Sequence, residues 1–108
     1  MDRKPLVCIF ENDAKPELLK EVCAGLEEEG VLFGVFAQSE ADVKTLAYNA
    51  AAQSLLNVGI GITMSGAVMQ MKNFSIDKPI FNISGETGRD YRTLGANAAR
   101  AVKGGVFV

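Results

Sequence analysis

A chain of 108 residues, 48% hydrophobic and 22% charged, has the composition of one globular domain spanning residues 1–108. It is large enough to bury a core without disulfide or metal staples, and neither disorder nor a membrane protein is indicated. Its net charge of −2 speaks against nucleic-acid binding, and the lack of any histidine excludes Ser-His and Cys-His nucleophile pairs and the usual catalytic zinc sites.

The apolar run Leu6-Val7-Cys8-Ile9-Phe10 predicts a first strand buried on both faces. Asn12 or Asp13 is placed to cap the next element, a helix, with Pro16 tolerated in its first turn. At about 100° per residue, Leu18, Leu19, Val22, Cys23 and Leu26 share one apolar face of this helix. The two cysteines, Cys8 in the strand and Cys23 on that face, read as small core residues in a reducing compartment. No leader or long apolar span is visible, so a cytoplasmic protein is expected.

The helix is expected to run to about Glu29 and to stop at Gly30, which suits the left-handed position after a helix end. Glu27, Glu28 and Glu29 then stand in its last turn, where the negative end of the helix dipole disfavours each carboxylate by about 0.3–1 kcal/mol. Glu28 points away from the apolar face, along the same outward stripe as Glu17 and Glu21, while Glu27 and Glu29 flank that face. Of the three, Glu28 is the carboxylate most available to a cation or a partner. The bland alternative is a solvated helix end built from a strong helix former.

Residues 31–37 are β-branched and aromatic and read as a buried second strand. Ser39-Glu40-Ala41-Asp42 opens a second helix as a variant capping box, with Val43, Leu46, Ala47 and Ala50 as its small-residue buried face. Residues 55–63 read as a third strand. Its Gly59-Ile60-Gly61 invites a dinucleotide reading, but the next glycine is Gly66, and the residues beyond the pair pattern as turn and strand rather than helix. The alternative is that Gly59 and Gly61 leave one strand face bare for the approach of a helix or a partner.

Met64-Ser65-Gly66 is a turn so short that the fourth strand, residues 67–72, must run antiparallel to the third. A fifth strand covers residues 80–84. Gly85-Glu86-Thr87-Gly88 lacks the ending of a phosphate loop and reads as a turn with Thr87 near a helix cap. The last helix, about residues 89–103, is expected to bury Tyr91, Leu94, Ala98, Ala101 and Val102 and to turn Arg89, Arg92, Arg100 and Lys103 outward to solvent. The order βαβαβββα predicts a three-layer α/β sandwich with a mixed five-stranded sheet.

Three stretches carry a specific resemblance: residues 25–33 (Gly25 through Glu27-Glu28-Glu29-Gly30 to Phe33), the strand Val58-Gly59-Ile60-Gly61, and residues 92–104, from Arg92-Thr93-Leu94-Gly95 to Gly104. Together they resemble the small subunit of the diol or glycerol dehydratase reactivating factor, over nearly the whole chain. The dehydratase medium subunit shares the fold but is longer at its N-terminus, so a chain of this length favours the reactivase subunit. The resemblance implies an anticodon-binding-domain-like fold with strand order 2-1-3-4-5 and the fourth strand antiparallel.

It also implies a non-catalytic partner of a large ATPase subunit. Together the two exchange damaged cobalamin for adenosylcobalamin in inactivated dehydratase, the small subunit acting by displacement as a mimic of the medium subunit. The same resemblance implies that Glu28 supplies one ligand to Mg²⁺ whose other protein ligands come from the large subunit. The expected partner interface is Glu27, Glu28, Arg92 and Arg100. The resemblance leaves diol against glycerol dehydratase and association with a bacterial microcompartment open.

Two other classes compete: an enzyme using Glu27, Glu28 or Glu29 as a general base or metal ligand on its own, and a flavodoxin-like cofactor carrier. Carboxylates at consecutive helical positions diverge rather than converge on one substrate. The carrier's phosphate loop would come directly after the first strand, where Glu11 and Asp13 would repel a phosphate.

Overall fold

The computed structural model describes residues 4–84, 87–105 and 107, so Gly85 and Glu86 of the loop before the last helix lie outside the described residues. The described residues form five strands and three helices in the expected order: β1 (Val7–Asn12), α1 (Pro16–Glu28), β2 (Phe33–Ala37), α2 (Val43–Gln53), β3 (Val58–Thr63), β4 (Gly66–Met71), β5 (Phe81–Ile83) and α3 (Gly88–Lys103). The sheet order is β2-β1-β3-β4-β5. β1 pairs in parallel with β2 and β3, while β4 is antiparallel to both β3 and β5.

This order dictates the layering. The connection through α1 leads from β1 outward to β2, and the connection through α2 leads back across β1 to β3. With both crossovers right-handed, reversal of direction puts the two helices on opposite faces. α3 returns to the α1 side. The period-2 alternation of the strands serves both faces: Val7, Ile9, Val58, Ile60, Ile62, Ala67 and Met69 meet Val22 and Leu26 of α1 and Tyr91, Leu94, Ala98 and Ala99 of α3 in the main core.

On the other face, β3 presents Gly59 and Gly61. A Cβ at Gly59 would collide with backbone atoms of Ala50 and Ala51, and one at Gly61 would lie 2.5 Å from Val43 O and 2.6 Å from Ala47 N. The bare face expected from the Gly-x-Gly pair is thus filled by α2, whose Leu46, Ala47, Ala50 and Ala51 are buried there. The glycines serve packing, with no phosphate turn.

Several local expectations are corrected. β1 extends to Asn12, and its last three residues are only half-buried. Neither Asn12 nor Asp13 caps α1: Lys15 occupies the N-cap without a side-chain bond, because Asp13 turns left-handed at φ 57° and Asn12 Nδ2 donates instead to Ser39 O and Glu40 O. Asp42, not Ser39, caps α2, accepting from Thr45 N at 3.0 Å and Thr45 Oγ1 at 2.7 Å. Those two bonds hold the Asp42 carboxyl below its usual value.

β2 is an edge strand with Val35 and Phe36 exposed, because the sheet order leaves it one neighbour; the expectation of burial took its apolar composition at face value. β3 begins at Val58, since Asn57 is left-handed at φ 62° and ends the preceding turn. Thr87 is the α3 cap, with the Asp90 carboxylate accepting from Thr87 N at 3.3 Å. Ala101 and Val102 are half-buried, whereas Leu94 is 2% exposed within the core. Leu94→Ala is therefore expected to cost about 2–5 kcal/mol, measured by denaturant unfolding.

Candidate functional site: the acidic end of α1 against α3

α1 and α3 cross closely because glycines face backbone on both sides. A Cβ on Gly25 would meet Arg92 O, and one on Gly95 would meet Val22 O. α1 then ends in a Schellman motif, with Gly30 at φ 73°, Gly30 N donating to Glu27 O at 3.0 Å and Val31 N to Leu26 O at 3.2 Å. Glu27 and Glu28 still belong to the helix, so their helical positions set the directions in which their carboxylates leave it.

The carboxylates find their compensation in α3. Glu29, with only 20% of its side chain exposed, takes Arg100 Nη2 at 3.2 Å and Lys103 Nζ at 2.8 Å. Lys103 Nζ also donates to Glu29 O at 2.9 Å, satisfying a carbonyl at the helix end. Arg92 Nε lies 3.0 Å from Glu21 Oε1 and 3.6 Å from Glu28 Oε1. Arg92 and Lys103 are exposed as expected and Arg100 is only half-exposed, but all three also pair with carboxylates of α1, because the glycine contact turns the basic stripe of one helix toward the acidic stripe of the other. Arg89 is exposed as expected.

Of the residues singled out from the sequence, Glu28 and Arg92 are brought together, while Arg100 belongs with Glu29, farther along the same crossing. Glu27 is exposed, and it helps to raise the thiol pKa of nearby Cys23, a shift caused chiefly by burial. A protonated, half-buried thiol is a poor nucleophile. Sequence reasoning gave no role to Glu21, the shorter contact of Arg92, or to the clamp of Lys103 on Glu29. The available signal was the pair of complementary stripes, but it becomes readable only once Gly25 and Gly95 are recognised as a helix contact.

Glu29 also makes a pH prediction. The Lys103 bond, then the charges of Arg100 and Lys103, hold its carboxyl below the usual range. A depressed native pKa stabilises the fold above the unfolded value of about 4.3, and the contribution is lost as pH falls through the folded pKa. Glu29→Gln should accordingly be less stable than the parent at neutral pH, with the gap closing only below about pH 4, as read by denaturant unfolding across pH.

The donor set suits the implied metal only as part of a larger site. Glu28 offers hard carboxylate oxygens on a side chain 60% exposed, its Oε1 only loosely approached by Arg92. This suits Mg²⁺, which keeps waters and takes one or two carboxylates from a chain. Among the described residues no group of three or more Cys, Asp or Glu side chains could hold a metal. A separate open depression of about 270 Å³ at the carboxyl ends of β1 and β3 is lined by Asn12, Asp13, Ala41, Thr63, Met64 and Ser65. Its lining brings a carboxylate and no cation to a phosphate. No helix among the described residues is long and apolar enough to cross a membrane.

Comparison with known proteins places this geometry. The model of the dehydratase medium subunit family matches residues 4–108. The chain is 36% identical, over 93% of its length and 87% of the relative's, to the propanediol dehydratase-reactivating factor small subunit of Citrobacter freundii. It superposes with TM-score 0.91 and 34% identity on a chain of the diol dehydratase-reactivating factor complexed with ADP and Mg²⁺, covering 98% of this chain and 99% of that one. It superposes with TM-score 0.92 and 29% identity on a chain of a glycerol dehydratase reactivase, covering 97% of each. By sequence across almost its whole length and by fold, the chain belongs to the dehydratase medium subunit family, with its likeness running to the small subunits of dehydratase-reactivating factors.

Proposed function

We propose that this chain, acting as one domain in the cytoplasm, is the small subunit of a chaperone-like reactivating factor. With a large ATPase subunit it exchanges damaged cobalamin for adenosylcobalamin in an inactivated diol or glycerol dehydratase. The observation that carries the reading is the end-to-end likeness to a chain of the diol dehydratase-reactivating factor, joined to an exposed Glu28 at the end of α1.

Its own residues do no covalent chemistry in this account. Family membership alongside the dehydratase medium subunit supports action by displacement: a domain of the same shape stands in for the medium subunit, leaves its large partner, and lets that partner dock on the enzyme. Glu27, Glu28, Arg92 and the α3 end near Arg100 form the face offered to the large subunit. Mg²⁺, when bound, ties the two chains together electrostatically. Glu28 contributes one carboxylate to it, from the outward stripe of α1.

Reactivation of inactivated dehydratase by the large subunit, ATP, Mg²⁺ and adenosylcobalamin tests the role. Activity should return only when this chain is included. The chain alone should neither hydrolyse ATP nor bind cobalamin in calorimetric titration, and micromolar affinity for either would contradict the reading. The matched family model favours one alternative, a medium-subunit-like structural component of the dehydratase itself. In that case the chain would co-purify with dehydratase subunits and not with the ATPase.

A further inference from the structure

Arg92 serves two acids at once. Its Nε is 3.0 Å from Glu21 Oε1 and 3.6 Å from Glu28 Oε1, and Glu21 and Glu28 lie seven residues, two turns, apart on α1. The Glu21 contact is shorter and is a hydrogen bond, and the Glu21 side chain is 30% exposed against 60% for Glu28. Glu21 is thus the anchor of the guanidinium and Glu28 its looser second partner. A divalent cation at Glu28 would meet a positive charge already beside the same carboxylate, and like charges at such a distance repel.

We propose that Arg92 is a built-in counter-charge competing with Mg²⁺ for Glu28, and that Glu21 sets the strength of this competition by drawing Arg92 away. The inference rests on the reading of Glu28 as a metal ligand. In the free subunit Arg92 partly neutralises Glu28 and discourages metal binding without the partner. In the complex the metal takes Glu28, and Arg92 falls back on Glu21. Arg92 is a positioning residue here, and its effect is a shift in metal dependence.

The test is the Mg²⁺ concentration giving half-maximal assembly with the large subunit, monitored by fluorescence anisotropy of labelled small subunit at constant ionic strength. Arg92→Gln should lower that midpoint by about two- to fivefold, the worth of an exposed ion pair. Glu21→Gln should raise it, because Arg92 then leans on Glu28 alone, and the double variant should behave like Arg92→Gln. A merely structural salt bridge would move both single variants in the same direction, and that result overturns the proposal. So does an unchanged midpoint in Arg92→Gln, or a Glu21→Gln effect that persists in the double variant. Glu28→Gln separates the two levels. If it leaves the Mg²⁺ dependence unchanged, the metal reading falls together with the proposal; if it changes that dependence while Arg92→Gln does not, only the proposal falls.

Discussion

Gly59→Val is expected to be the most damaging single substitution on the α2 side of the sheet, costing at least the upper part of the roughly 1–3 kcal/mol range for overpacking. The first added carbon would already overlap Ala51 N and Ala50 C, and both are backbone of α2. Backbone cannot change rotamer, so α2 must lift from β3. Lifting exposes Leu46, Ala47, Ala50 and Ala51, which are at most 1% exposed, so loss of burial adds to the clash. Gly30→Ala is the control: nothing lies within 4 Å of its Cβ, and the cost is confined to its left-handed φ of 73°, about 1–2 kcal/mol. Denaturant unfolding of the two variants compares a packing glycine with a conformational one. Equal losses would mean that α2 is not held as closely as Gly59 implies.

The contrast also explains what could be read from the sequence. Element order, the antiparallel fourth strand and the Gly30 stop arise from local patterns: apolar and β-branched runs, a short turn that the structure makes two residues long, Met64 and Ser65, and a left-handed position. The layer assignments of Leu94 and of the α2 small residues come from helical periodicity. Tertiary facts were less accessible. Nothing local distinguishes the edge strand Phe33–Ala37 from a central one, because an edge is a property of the sheet order. The α1 cap failed for a related reason: Asn12 is engaged by Ser39 and Glu40, 27 and 28 residues away. The outward direction of Glu28 was legible, as was the need of three carboxylates at a helix end for compensation. Its source in Arg92, Arg100 and Lys103 was hidden until α3 was placed beside α1, 71 to 74 residues on in the chain.

Glu28→Gln is expected to weaken Mg²⁺-dependent assembly with the large subunit by at least tenfold, the lower end of what changes even outside the ligand shell cost at metal sites. The substitution keeps size and helix propensity and removes the charge, so the fold should hold. Hard divalent cations bind carboxylate oxygen far better than a neutral amide, and a chain giving one ligand has no second carboxylate in reserve. Glu27→Gln, one position away on a diverging direction, removes only an interface charge and should weaken assembly less, leaving its Mg²⁺ dependence intact. Equal effects of the two would reduce Glu28 to general surface charge.

The central claim, that this chain is one half of a two-subunit reactivating factor, is tested most directly by titrating it into the purified large ATPase subunit in a calorimeter, with Mg²⁺ and then with excess chelator. A saturable one-to-one complex with Mg²⁺ that weakens markedly in chelator is the result the account predicts. No binding heat under either condition, with both proteins folded, would contradict it.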